Sequence, residues 1–423
     1  MNSSIITGLI ANFIVVLSSL FLVPIYLREI GPEGYSVISF VGSLLAMMVI
    51  VELGAKLATK KLVSASYYGK DKDESETVTS VLFILFLVIA VVFLVLLNLS
   101  NNVILSLLDD TSDLKYLLRK LLPISAVVCI RWMNGFLGSV LTSTGKVTNF
   151  YTFRIAGALT NLLGVTLFHA MNCLTVNSSL ICFGLGSSVQ LAFSYKSADV
   201  KICNVKWSSN TKSILREFRR YFLGASLFAV IGMLIFSADK VIMPYFIPLK
   251  VYGYFVAGLS VLLVINHGLY PITIALYDEF AKYFEESNFK SAHKMLVRAL
   301  LIFSIPILLL ALPLTYYLED ILTYWTGDSG IYKNAGNVLN IYFYGIVIFS
   351  IHNIILISNS IVGYLKLLNY VHILALIVYI LVLCACGFEN MLSYGYALIF
   401  TSLMLLTGQV YVYLKFYNDK VRT

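Results

Sequence analysis

Residues 4–27 read SIITGLIANFIVVLSSLFLVPIYL, and the eight that follow read REIGPEGY. The first stretch carries no charge. A helix rising 1.5 Å per residue needs about 20 apolar residues to cross a hydrocarbon core of roughly 30 Å, and this run supplies them. It is too long for a signal-peptide core, and no small-residue cleavage site follows it, so it reads as a retained first span. Working outward, comparable runs recur near 36–58, 78–99, 118–140, 151–172, 177–195, 221–244, 253–275, 297–317, 335–358, 367–386 and 392–414. Lipid admits only helices and closed barrels, because every backbone polar group must be paired internally. A barrel would show short alternating segments instead of continuous apolar runs. The expected fold is therefore an all-α integral membrane protein of about 12 transmembrane helices.

The composition of the 423 residues agrees, with 59% hydrophobic and only 12% charged. An ordinary soluble domain carries roughly twice that charge. The longer loops, near 59–77, 196–220 and 276–296, are charged, and none is large enough for a catalytic domain. No nucleophile triad, P-loop or zinc spacing occurs, so a non-enzyme without cofactor or metal is expected. The six cysteines lie mostly in apolar runs without metal or disulfide spacing, and read as small core residues.

A net charge of +8 suits either nucleic acid or a membrane with basic cytoplasmic loops. The distribution favours the membrane. With the N-terminus in the cytoplasm, 22 of the 30 Lys and Arg fall inside, 6 fall outside, and Arg131 and Lys240 lie within spans. Both termini are then cytoplasmic, membrane lipids are partners, and nucleic acid is not. The basic stretch from Lys212 to Arg220 leads into the seventh span and reads as topogenic.

An internal repeat is visible. Pro24 precedes Gly34-Tyr35, Pro244 precedes Gly253-Tyr254, and the two Gly-Tyr pairs are offset by 219 residues. Two six-helix lobes follow, 1–212 and 213–423. Because six is even, both keep one orientation, and their axis runs along the membrane normal.

Charges inside spans cost roughly 2.5–3.5 kcal/mol on insertion scales and need a partner or a wet cavity. Arg131 sits mid-span, too far from either end for easy snorkelling. It reads either as a cation facing a polar cavity or as a helix-to-helix hydrogen bond helped by Asn134. Asp239 and Lys240 are adjacent, so they point about 100° apart and cannot be assumed to pair. The aspartate could bind a coupling ion and the lysine a phosphate, or both could form an interfacial pair. Glu52 and Lys56 share a face at i,i+4, which suits a plain ion pair. Asn12, Asn266, His267, His352 and Asn353 read mainly as helix-to-helix hydrogen bonds. His169 and His372 read as lone structural histidines without carboxylate neighbours. Arg154 and Lys366 read as snorkelling residues near cytoplasmic ends. Tyr316, Tyr317, Tyr324, Trp325 and Tyr332 read as an interfacial aromatic belt.

Gly31-Pro32-Glu33-Gly34-Tyr35 resembles the GPEGYG-like turn of the Wzx-type O-antigen flippases, in the polysaccharide-transporter branch of the MOP superfamily. Ser237-Ala238-Asp239-Lys240-Val241-Ile242, leading to Tyr252-Gly253-Tyr254, is similar to that family's seventh-span motif, and Tyr270-Pro271 through Lys294 to its eighth span and amphipathic loop. Position 36 is Ser where Gly is common. The resemblance implies a MATE-like fold of two six-helix lobes around a central cavity, working by alternating access. It implies an undecaprenyl-pyrophosphate-linked O-antigen unit, or a related oligosaccharide, moved to the periplasmic leaflet of a bacterial inner membrane. An O-antigen polymerase and a chain-length regulator are the implied protein partners. Carried onto this sequence, Asn12, Lys56, Lys240, Asn266 and His267 become cavity candidates, with Arg131 as a further cation. Asp239 and Glu52 become candidates for ion coupling.

The physics suits that task. A sugar diphosphate cannot cross hydrocarbon unaided, since each unpaired polar group costs several kcal/mol. Arg and Lys match a diphosphate, while Asn, Ser and Tyr match hydroxyls. Two other readings stay open: a cation-coupled multidrug exporter of the same fold, which calls for a more acidic cavity, and an O-antigen polymerase or ligase, which calls for a long periplasmic loop. A lipid II flippase would carry two further spans.

Overall fold

The computed structural model describes residues 3–68, 72–107, 121–198, 200, 209–264, 280, 283, 286–362 and 365–421. Among them the structure is helical apart from short turns, with no strand. The helices are α1 (Ser3–Tyr68), α2 (Lys72–Leu107), α3 (Leu121–Ser143), α4 (Val147–Ala170), α5 (Val176–Ala198) and α6 (Ser209–Ile242). They continue with α7 (Leu249–Val264), then α8 (Phe289–Tyr316), α9 (Leu318–Thr326), α10 (Gly330–Val362), α11 (Leu365–Cys386) and α12 (Met391–Val421). Eight of the described spans are long and apolar enough to cross a membrane.

Each expected run overlaps a described helix, the run near 253–275 being described only to Val264, and α1 covers the first two. It is broken at Gly31, whose φ of 71° and ψ of 174° lie outside the helical region. Only glycine adopts that conformation without a Cβ penalty, and Pro32 then opens the next helical segment. Tyr26 and Tyr35 stack across the break with ring centroids 6.1 Å apart. The second Pro and Gly-Tyr pair also brackets an interruption, the short 3-10 turn Met243–Tyr245 between α6 and α7. Helix ends follow local chemistry. Thr175 and Ser178 cap α5 reciprocally, the Ser178 amide donating to Thr175 Oγ1 at 3.1 Å and the Thr175 amide to Ser178 Oγ at 2.7 Å. Asn288 accepts from the Ser291 amide at 3.2 Å and caps α8.

The chain separates into two compact units, Met1–Val230 and Ile231–Thr423. This division falls inside α6, as does the 212/213 boundary of the two-lobe reading, nearer the start of that helix. In the first unit α3 is central, packing on α1, α2 and α5. Its Trp132 and Phe136 are buried against Phe86 of α2, and Trp132 Nε1 donates to the Phe86 carbonyl at 3.2 Å. In the second unit α12 is central and packs on α10 and α11. Phe280, Leu296, Ile354, Tyr413 and Phe416 form an apolar cluster there that joins α8, α10 and α12. Near it Asn359 Nδ2 donates to the Gln409 carbonyl at 2.9 Å, tying α10 to α12.

Candidate functional site

A group of buried polar side chains around a charge lies at the end of α6 in the second unit. Lys240 is in the last turn, so its carbonyl would accept from the amide of residue 244. Residue 244 is proline and has no N–H. The Tyr252 hydroxyl supplies the missing donor, at 2.8 Å from the Lys240 carbonyl. That bond fixes the start of α7 beside the end of α6 and holds the Asp239-Lys240 pair in place.

Both side chains are buried, Asp239 to 1% exposure. Lys240 Nζ lies 3.3 Å from Asp239 Oδ1, so the neighbours that helical geometry sends in different directions do pair, through the reach of the lysine chain. Tyr342 of α10 donates its hydroxyl to Asp239 Oδ2, while Lys240 Nζ lies 3.5 Å from the same hydroxyl and 5.7 Å from the ring centroid. Tyr379 of α11 is buried in the same unit, and its hydroxyl has no hydrogen-bond partner among the described residues. The group is a neutralised ion pair closed by the Tyr342 phenol. Neutralisation lowers the desolvation cost of each charge, but it means the lysine meets an anionic ligand only after leaving Asp239.

In the first unit Arg131 is exposed on α3, with its guanidinium carbon 5.0 Å from the centroid of the Phe183 ring on α5. Asn134 turns to α5, where its Nδ2 donates to the Ser187 carbonyl at 2.8 Å. Asn12 of α1 accepts from Arg154 of α4 at 2.7 Å. Arg154 thus joins two helices, which corrects its reading as a snorkelling residue. His169 is corrected as well: its Nδ1 lies 3.1 Å from Glu29 Oε1, a carboxylate 140 positions earlier that sequence proximity cannot reveal. His372 Nδ1 lies 2.9 Å from the Leu368 carbonyl, and its ring centroid is 6.0 Å from that of His352.

Asn266 and His267 lie outside the described residues, as do the side chains of Glu52, Lys56 and Lys366 on described or adjoining helical backbone. Of the sequence candidates, the structure brings together Asp239 with Lys240, and Asn12 with Arg154. Arg131 belongs to the first unit and the Asp239 group to the second. Tyr252, Tyr342 and Arg154 were missed as site residues. Pro244 four residues after Lys240 was the available signal for Tyr252, because it leaves a carbonyl in need of a donor. Among the described residues no cluster of three or more metal-ligating side chains occurs.

Residues 9–167 match the MatE family model. No curated protein matches the chain by sequence. In three dimensions the chain is similar to an inward-facing multidrug resistance MATE family transporter of the MOP superfamily, at 13% identity over 98% of this chain and 99% of that one, with a TM-score of 0.76. It is also similar to a MOP superfamily transporter from Pyrococcus furiosus, at 12% identity over 98% and 95%, TM-score 0.66. A mutant of the Vibrio cholerae MATE transporter VcmN matches at 14% identity over 100% and 98%, TM-score 0.64. With a MatE-type segment at its start and this architecture from end to end, the chain has the all-helical MATE-like fold of the MOP superfamily membrane transporters.

Proposed function

We propose that the chain is a flippase that moves a diphosphate-linked oligosaccharide, of the undecaprenyl-pyrophosphate O-antigen type or a close relative, from the cytoplasmic to the periplasmic leaflet of a bacterial inner membrane. The observation that carries this reading is the pair of arginines Arg131 and Arg154 set within α3 and α4 of a MATE-like first unit. A permanent cation within a membrane helix is costly, and two of them repel a cationic drug but attract a diphosphate. The Pyrococcus furiosus neighbour is described as having a binding pocket of reverse polarity that suggests a different function. Polarity can thus separate cargo classes within one fold.

Alternating access with a cationic path removes the cost of burying sugar hydroxyls and phosphate, while the prenyl tail stays in lipid. Asp239, buried beside Lys240 and Tyr342, is the described candidate for ion coupling, with Glu52 as the second. Both termini face the cytoplasm on this reading, and an O-antigen polymerase with its chain-length regulator would receive the cargo.

The test is reconstitution into vesicles containing a polyprenyl-diphosphate oligosaccharide, with arrival at the far leaflet read by glycosidase access. Wild type moves the lipid-linked sugar, and Arg131→Ala slows it by about tenfold or more, the usual scale for a lost charge-assisted bond. Vesicles that pump small cationic dyes and ignore lipid-linked sugars would make the chain a multidrug exporter. Lengthening of the glycan by the protein alone would make it a polymerase.

A further inference from the structure

We propose that a proton-carrying file runs through the second unit, from Asp239 to the far ends of α10 and α12, with the imidazoles of His352 and His372 as its proton acceptor. This rests on the ion-coupled part of the flippase reading and names the ion and its path.

Helix faces place the file. A methyl group on Gly345 of α10 would stand 2.8 Å from Leu398 of α12, and one on Gly395 of α12 would stand 2.8 Å from Ile341 of α10. Further along the same two helices, Asn359 Nδ2 donates to the Gln409 carbonyl at 2.9 Å. Gly345, His352 and Asn359 therefore recur every two turns on the face of α10 that meets α12. On the facing side of α12, Leu398, Ser402, Leu405 and Gln409 recur at three- and four-residue spacing. His372 comes in from α11, its ring centroid 6.0 Å from that of His352. Tyr379 lies two turns further along α11 on the His372 face, and Thr401 Oγ1 of α12 lies 3.5 Å from the Ala375 carbonyl between them. Tyr342, which donates to Asp239, stands three turns before His352 on α10. From Tyr342 to Asn359 the rise is roughly 25 Å, most of a hydrocarbon core. On the orientation of the flippase reading, the Asn359 end is cytoplasmic.

Polar atoms along this line lack partners. Both ring nitrogens of His352, the Tyr379 hydroxyl, Ser402 Oγ, Asn359 Oδ1 and Gln409 Nε2 are buried without a hydrogen-bond partner. Each such atom is costly, more so in lipid, where bulk water is remote. At successive depths on three facing helices, they are matched by a chain of water molecules, which donate and accept alike.

The histidines give that chain a proton acceptor. The Leu368 carbonyl only accepts, so His372 Nδ1, 2.9 Å from it, carries the hydrogen, and Nε2 bears the lone pair of the neutral ring. Hard cations take oxygen ligands, which two imidazoles do not offer. Phe349, 5.2 Å from the His352 ring, packs on an apolar cluster of Ile231 and Ile235 of α6, Ala375 of α11 and Leu405 of α12. Along the faces that meet here, the titratable groups are Asp239 with Lys240 one turn beyond Ile235, Tyr342 of α10 and Tyr379 of α11. An imidazolium is costly in a dry apolar compartment and far less so in a wetted one, so a proton favours the open file over the closed one and shifts the unit toward it. One proton moves at each step. The Asp239 carboxyl releases it through water and the Tyr379 hydroxyl, an imidazole lone pair takes it to give imidazolium, and water held at Asn359 and Gln409 takes it away.

Full-length protein is reconstituted into vesicles with a polyprenyl-diphosphate oligosaccharide, and flipping is driven by an imposed proton or sodium gradient. Wild type responds to the proton gradient and not to sodium. His352→Gln and His372→Gln each lose that response by about fivefold or more yet still equilibrate the cargo without a gradient, while His169→Gln, in the first unit, keeps it. In a second measurement without cargo, deuterium uptake at imidazole Cε1 is read residue by residue by mass spectrometry. His352 and His372 follow one shared titration between about pH 5 and 8, and His372→Gln displaces the His352 curve. If one glutamine variant does not fold, as judged by size exclusion, the other decides, and if neither folds the wild-type deuterium curve decides. Proton-driven flipping that both variants keep, flipping driven by sodium instead, or a His352 ring that takes up no deuterium across that range would overturn the file and leave the flippase reading standing. A wild type that moves no lipid-linked sugar would remove the flippase reading, and the deuterium curve would still decide the file.

Discussion

Lys240 loses its ordinary helical partner because position 244 is proline, and the tyrosine that replaces the partner also fixes the α6–α7 corner on which the Asp239 pair stands. Breaking a buried pair by removing one member typically costs about 3–5 kcal/mol, whereas replacing both with neutral groups of similar size is often neutral or better. Asp239→Asn alone should therefore leave Lys240 uncompensated, lowering the detergent melting temperature and the membrane yield. The double variant Asp239→Asn with Lys240→Met should recover both while abolishing ion-driven transport. A double variant that transports normally would remove the pair from coupling. The residue types at this site were legible, since buried charges in an apolar run announce themselves. Their partners were not. Tyr342 lies 102 positions from Lys240, and Arg154 142 positions from Asn12, so only helix packing decides that they meet.

At the scale of elements, continuous apolar runs located the membrane-length helices, because lipid imposes one secondary structure and one approximate length. The short α9 was not anticipated. Glu319 and Asp320 in its first turn and the buried Leu318 and Leu322 at i,i+4 make it a local amphipathic helix, a pattern diluted by the exposed Tyr324 and its polar neighbours. How helices cross was also hidden. Gly157 and Gly186 let α4 and α5 approach backbone to backbone, the close packing that small residues allow in membranes. Gly157→Val would force its branched side chain against the Gly186 carbonyl. Overpacking of this kind costs about 1–3 kcal/mol, so a clear fall in thermal stability by size-exclusion fluorescence is expected. Gly184→Ala, whose added carbon would sit at an ordinary 3.5 Å from Val127, should leave stability unchanged and serves as the control.

For the molecule as a whole, the helical membrane fold was legible because it is a sum over many residues, while the repeat and the charge bias give the two lobes and their orientation as expectations. Compactness divides the chain inside α6, between Val230 and Ile231, so this one helix contributes to both units. Covalent continuity should consequently matter within α6 and not before it. A protease site inserted between Asn204 and Val205, beside Lys201 and Lys206, lies in a basic stretch of sequence that the charge bias assigns to the cytoplasm. Protease should cut it in inverted vesicles and not in spheroplasts, and transport should survive the cut. The same insertion between Val230 and Ile231 interrupts a helical ladder whose freed amides and carbonyls find no water in hydrocarbon, at several kcal/mol each. That variant should fail to accumulate. Cleavage of the 204–205 site from the periplasmic side would reverse the orientation, and with it the direction in which Arg131 and Arg154 could first meet a cargo made in the cytoplasm.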